Sequence, residues 1–330
     1  MSNQIKSVSE FVKRISVLTS DLSNTIDIFY RGQSKQYCKG ELSEDIKPSI
    51  FRNIGLIENE HCLFREFIRS NPNDFLNEKT TFEKLVKMQH YGLPTRLLDI
   101  TSNALISLYF ACEDYNEKTA MECCHEDSRS CIKHKVVNGL VVVIKMEQEH
   151  IKYSDSDTVS VISNIAKRPC CEGIYNAPLD FKGYKDFYRN KLVERAANGK
   201  PSLYDRKQVE REIFNSYDPI SYLIHDIKEE KSYFQNCIVE EDMHKIMCVK
   251  PLLNNRRIIK QDGAFLLFGM NENKTECPSL KDDQFDVLTI HGKSKTIILD
   301  ELKQLGITKD KVYPEMDKVA EYLKENYETK

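Results

Sequence analysis

Residues 89–112 read QHYGLPTRLLDITSNALISLYFAC, and the segment passes from polar to apolar within a few positions. Its first part sets Gln89, His90, Tyr91, Thr95, Arg96, Asp99 and Thr101 around the breaker Gly92-Leu93-Pro94. Its second part is a strongly apolar run opened by Thr101 or Ser102, residue types that cap helices, so a buried helix is predicted. Polar groups crowded ahead of a buried helix need partners, because unpaired donors and acceptors are costly away from water. The cluster therefore lines a cleft, or it closes on itself with Arg96 paired to Asp99.

Upstream, IDIFYRG at 26–32 reads as a short buried strand ending at Gly32. It puts the guanidinium of Arg31 beside a glycine that lets another backbone or a ligand come close. Arg in such a place suits a phosphate or carboxylate, which its planar donors grip bidentately, or else an internal acid. Apolar positions three and four apart predict helices over Ile5–Leu18 and over about 56–70, the latter with the stripe Leu56, Glu60, Leu63, Phe64, Phe67, Ile68; another helix precedes His90. Downstream, 113–138 is polar and aperiodic, an insertion or long loop, whereas NGLVVVIKM is a core strand. From about 145 to 235 the pattern weakens, with a small helix around 204–216. IIKQDGAFLLFG, residues 258–269, reads as two strand-like runs about Asp262-Gly263, and HGKSKTIILDELKQLGI as a strand, a helix from about 299 and a stop at Gly306. Strands and helices alternate without a βαβ rhythm, which favours an α+β fold.

Bulk properties exclude several classes. Lys and Arg total 48 against 51 Asp and Glu, so a net charge of −3 gives no global attraction to nucleic acid or an anionic membrane. No apolar run approaches the roughly 20 residues of a membrane span, and the N-terminal stretch lacks a signal core, so a cytoplasmic protein is expected. The 11 cysteines are odd in number, and Cys62, Cys112, Cys237 and Cys248 lie in apolar stretches, as reduced core thiols do. A catalytic cysteine is not expected, since Cys112 falls inside the buried helix. Cys123, Cys124, His125, Cys131 and His134 crowd one insertion, with Cys170-Cys171 further on, but their spacing departs from zinc-ligand pairs and reads as incidental thiols. The basic runs Asn254-Asn255-Arg256-Arg257 and Lys167-Arg168 read as solvated turns unless folding gathers them beside Arg31.

Phe29-Tyr30-Arg31-Gly32, the 89–111 segment, RIIKQDGAFLLFG and KTIILDELKQLGITKDKVYPEMD, taken in this order, resemble the FRG-domain family, named for its aromatic-Arg-Gly signature. The resemblance implies an N-terminal helix in 1–24, an FRG domain over 25–317 with a polar insertion at 113–138 and an unmatched middle at 150–235, and a helical tail at 318–330. A weaker similarity is to ADP-ribosyltransferases, whose sites combine an aromatic-Arg-Gly strand, a Ser/Thr-bearing strand before an apolar helix, and a later Gln/Glu-bearing strand. That resemblance implies a split mixed sheet with flanking helices and NAD as substrate. Arg31 would hold the phosphates, Thr101 or Ser102 would orient the nicotinamide ribose, and Gln261 would stand where transferases keep a Glu. Gln33, His90, Tyr91 and Arg96 would line the cleft, with Asp99 orienting Arg96 from behind. The implied function is an NAD-dependent ADP-ribosyltransferase-like protein, a toxin or antiphage effector acting on a macromolecular acceptor. The alternative is a module of the same fold that binds a nucleotide, nucleic acid or protein without turnover, because Gln261 carries no negative charge.

Overall fold

The computed structural model describes residues 4–35, 46–113, 137–170, 178–198 and 206–328. Their strands are β1 (Gln4–Ile5), β2 (Ile26–Gln33), β3 (Leu97–Thr101), β4 (Gly139–Glu147), β5 (Ile151–Tyr153), β6 (Ile246–Lys250), β7 (Gly263–Phe268) and β8 (Phe285–Ile290). The helices are α1 (Val8–Thr19), α2 (Ile54–Glu58), α3 (Glu60–Ser70), α4 (Thr81–His90), α5 (Ala104–Cys112), α6 (Asp157–Asn164) and α7 (Tyr184–Ala197). They continue as α8 (Arg206–Asn215), α9 (Asp218–Lys228), α10 (Glu240–Met243), α11 (Arg256–Lys260), α12 (Lys295–Gln304), α13 (Lys309–Val312) and α14 (Met316–Glu328). The strands form one mixed sheet in the order β1-β8-β4-β2-β3-β7-β6-β5, so the fold is α+β with flanking helices.

Side chains alternate across a strand, and the sheet uses both faces. On one face Phe29, Leu98, Ile100, Val142, Ile144 and Leu266 form a single cluster that spans both halves of the sheet. The other face is divided. Beneath β2, β4 and β8, Tyr30, Val141, Val143 and Leu288 pack with Phe11 of α1, Leu108 of α5 and Ile298 of α12. Beneath β3, β6 and β7, Leu97, Val249, Phe265 and Leu267 pack with Leu85 of α4, Ile162 of α6 and Leu223 of α9. The division follows the pairing. β2 pairs with β4 along its whole length, from Ile26↔Glu147 to Gln33↔Leu140, but meets β3 at Tyr30↔Thr101 alone. Beyond that pair the ladder stops, and the sheet is split between the strand carrying Arg31 and the strand carrying Asp99.

α5 explains why glycine stands in the aromatic-Arg-Gly stretch. A Cβ on Gly32 would lie 1.9 Å from the Ser107 carbonyl oxygen, and one on Gly139 of β4 would lie 2.0 Å from that of Ala111. The two glycines let the helix backbone rest directly on the sheet. It is thus a backbone, that of α5, which approaches Gly32.

Several expectations need correction. The apolar helix is capped by neither Thr101 nor Ser102 but by Asn103, whose side chain accepts from Leu105 N and Ile106 N at 3.0 and 3.4 Å. The first run of IIKQDGAFLLFG is helical, not extended: Asn255 caps α11 through Arg257 N, and only Gly263–Phe268 is strand. KTIILD opens α12, because Ile298 and Leu302 four residues apart fall on its buried side; the preceding strand is β8. Gly306 does end α12, at a φ of 82°. Cys112 and Cys248 are buried, but Cys62 and Cys237 are exposed. The Cys/His insertion at 123–134 lies outside the described residues.

Candidate functional site at the split of the sheet

A cavity of about 260 Å³ opens where β2 and β3 part. β2 contributes Tyr30, Arg31, Gly32 and Gln33, and β3 contributes Asp99 and Thr101. Phe110 and Glu113 enter from the end of α5, Arg257 and Gln261 from α11 and the turn after it, and Tyr313 from the segment behind α13. A second cavity of about 110 Å³ shares Asp99, Arg257 and Gln261 with the first and adds His90. A third, of about 490 Å³, shares His90 and Ile258 with the second and adds Tyr91 and Arg256. The three cavities adjoin through these shared lining residues.

Arg31 stands in for the missing ladder. Its Nη1 donates to the Asp99 carbonyl oxygen at 2.7 Å, tying the two halves of the sheet together where backbone pairing has stopped. The Asp99 carboxylate accepts from Gln89 Nε2 at 2.8 Å, and Gln89 Oε1 in turn accepts from Thr95 Oγ1, which fixes β3 to the end of α4. Across the cavity, the Arg257 guanidinium lies 5.1 Å from the Tyr313 ring centroid, within cation–π range, and 3.8 Å from a Glu315 carboxylate oxygen. The Tyr313 hydroxyl donates to Glu113 Oε2 at 3.0 Å, and burial together with that carboxylate pushes its pKa up, so it stays protonated. His90 is pushed toward its neutral form by burial and by the charge of Arg257.

The polar groups around Gln261 hold the turn. Its side-chain nitrogen donates to the Val312 carbonyl at 3.1 Å, and its own carbonyl accepts from Thr101 Oγ1 at 2.6 Å. Asp262 has a φ of 45°, a left-handed conformation that Asp tolerates. Its carbonyl accepts from Ser102 N and its carboxylate from Asn103 Nδ2, so it faces the start of α5.

The residues predicted from sequence thus part company. Arg31, Gln33, Asp99, Thr101 and Gln261 line the central cavity, and His90 and Tyr91 the adjoining ones. Ser102 is exposed and lines none of these three. Arg96 does not belong to the cleft, and Asp99 does not orient it. Arg96 is fully buried, with Nε and Nη2 on Glu60 at 2.9 and 2.5 Å and Nη1 on the carbonyls of Phe268 and Gly269. Lys274, also fully buried, joins Glu60 at 3.0 Å. Sequence reading took Arg257 for part of a solvated turn unless folding gathered it beside Arg31, and it singled out neither Glu113 nor Tyr313. The Asn-Asn-Arg-Arg run was the one available signal, since folding does bring Arg257 to the wall of the cavity that Arg31 lines.

With the geometry in place, comparison with known proteins bears on identity. Residues 27–120 match the family model of the FRG domain. The chain carries an FRG domain. The FRG match covers β2 from Asp27 on, the segment from α4 to α5, and Glu113, while Arg257, Gln261 and Tyr313 lie beyond it. No curated protein and no solved structure matches the chain.

Proposed function

We propose that the FRG domain binds NAD across the split of the sheet and acts as an ADP-ribosyltransferase or NAD glycohydrolase. The observation that carries the reading is the meeting of Arg31 and Arg257 in one cavity with Thr101 and Gln261. Two guanidiniums facing one space suit a diphosphate, which Arg binds through paired charge-assisted hydrogen bonds. The central cavity alone is small for a dinucleotide, since ligand sites usually run to about 300–1,000 Å³. The adjoining cavities that carry His90 and Tyr91 supply the remaining length. In this reading Gln33, His90, Tyr91 and Asp99 contact the cofactor, and the functional unit extends over about 25–317, because the cavity draws on residues from β2 through Tyr313. Such chemistry fits a cytoplasmic toxin or antiphage effector with a macromolecular acceptor.

A second reading, nucleotide binding without turnover, has its own support. Thr101 Oγ1 and the Gln261 side-chain nitrogen are both engaged with backbone carbonyls, and Gln261 brings no charge to a developing cation. Incubation of the full chain with labelled NAD separates the two. Nicotinamide release or label transfer that disappears in Arg31→Ala supports the enzyme. No turnover, with NAD still raising the melting temperature of the wild type, supports the binding module; no response of either kind sinks both.

A further inference from the structure

The NAD reading leaves a chemical gap, because glycosidic cleavage of NAD builds positive charge on the ribose and the position expected to answer it holds Gln261. The same cavity contains a carboxylate on its α5 side. Glu113 lines the wall with Arg31 and Gln261, directly after the last turn of α5. Its Oε2 accepts from the Tyr313 hydroxyl at 3.0 Å. Tyr313 is held in turn by the edge of Phe110, with ring centroids 6.0 Å apart, and by the Arg257 guanidinium over its face. Lys295 Nζ donates to the Ser34 and Glu113 carbonyl oxygens at 2.6 and 3.4 Å, which pins the backbone on either side of the cavity mouth. Gln261, by contrast, uses its side-chain nitrogen to hold Val312, the residue before Tyr313. Gln261 therefore positions the segment that carries Tyr313, and Tyr313 positions Glu113.

We infer that Glu113, oriented by Tyr313, is the catalytic carboxylate of this site, and that Gln261 is a positioning residue. The assignment rests on the NAD reading above. In the step it serves, the bond between ribose C1′ and the nicotinamide ring nitrogen breaks, and its electron pair leaves with neutral nicotinamide. The Glu113 carboxylate accepts a hydrogen bond from a ribose hydroxyl and stabilises the cationic sugar through its fixed negative charge. Water or an acceptor nucleophile then forms the new bond to C1′ and releases its proton to solvent.

The test is nicotinamide release by the full chain, with kcat and KM resolved for wild type, Glu113→Gln, Glu113→Asp and Tyr313→Phe, and with melting temperature followed with and without NAD. Glu113→Gln is expected to lower kcat by about 100- to 1,000-fold, the usual cost of losing one preorganised stabilising group, while NAD still raises the melting temperature. Tyr313→Phe should lower kcat less and leave KM close to wild type, as befits a residue acting through another. If Glu113→Gln melts early, Glu113→Asp, which keeps the charge, must recover part of the lost kcat. A wild type that turns over NAD alongside a Glu113→Gln variant within about 3-fold of it overturns the assignment and leaves the NAD reading standing. No recovery in Glu113→Asp also overturns it. A wild type that releases no nicotinamide overturns the NAD reading, and this assignment with it.

Discussion

Arg31 lies in β2 and Arg96 immediately precedes β3, and burial sends them to different work. Arg96 shares Glu60 with Lys274 in a fully enclosed cluster. Burial alone would raise the Glu60 pKa, but the charges and hydrogen bonds of Arg96 and Lys274 outweigh it and hold Glu60 down at about 2. Burial and Arg96 push Lys274 down to about 8 against the pull of Glu60. Glu60→Ala strands two buried cations and should destabilise the fold by roughly 3–5 kcal/mol in urea denaturation; a loss under about 1 kcal/mol would show that Glu60 is not what compensates the charges of Arg96 and Lys274. The linkage sign is fixed by the same shift. Glu60 has a lower pKa folded than unfolded, so its contribution is full above the ordinary glutamate value of about 4.5 and fades as pH falls toward about 2. The wild type should lose stability across that window more steeply than Glu60→Gln, as read by acid titration of the melting temperature. Sequence placed Glu60 on the buried stripe of its helix but offered no sign of its partner. Arg96 and Glu60 are 36 residues apart, and only tertiary packing joins them.

Among the elements, α5 and the strands beneath it were legible because their patterns are local. Val141–Ile144 is continuously apolar and β-branched, and 104–112 is apolar but for Ser107, so their burial follows from composition. α11 and the start of α12 were misread for the opposite reason. Arg256–Lys260 and Lys295–Leu299 are short stretches with paired isoleucines, where strand propensity and helix position disagree and the tertiary setting decides. The glycine of the aromatic-Arg-Gly stretch acts at this scale. Gly32→Ala would drive a methyl into the Ser107 carbonyl and should lift α5 from β2, costing about 1–3 kcal/mol in equilibrium unfolding. Asn103→Ala removes the cap that also meets Asp262, and should cost about 1 kcal/mol. If Gly32→Ala proved neutral, the direct seating of α5 on the sheet would be contradicted.

For the whole molecule, the decisive feature is a sheet whose halves meet at one residue pair while two separate helix groups cover one of its faces. The candidate site falls at that junction, and its walls come from β2, β3, α5, α11 and the segment behind α13. No local pattern announces such a convergence, which is why Glu113 and Tyr313 escaped the sequence and Arg257 entered it only as a conditional reading, while Arg31, Thr101 and Gln261 were singled out directly. Among the described residues no helix is long and apolar enough to cross a membrane. The most direct test of the central claim is the melting temperature of wild type and Arg31→Ala with increasing NAD. Ligand at 100 times its dissociation constant stabilises a protein by about 2.7 kcal/mol, enough to read as a clear shift. NAD is expected to raise the melting temperature of the wild type and not that of Arg31→Ala, with Arg31→Ala itself still folded. Equal shifts in both proteins, or none in the wild type, would contradict a phosphate-binding site at the split of the sheet.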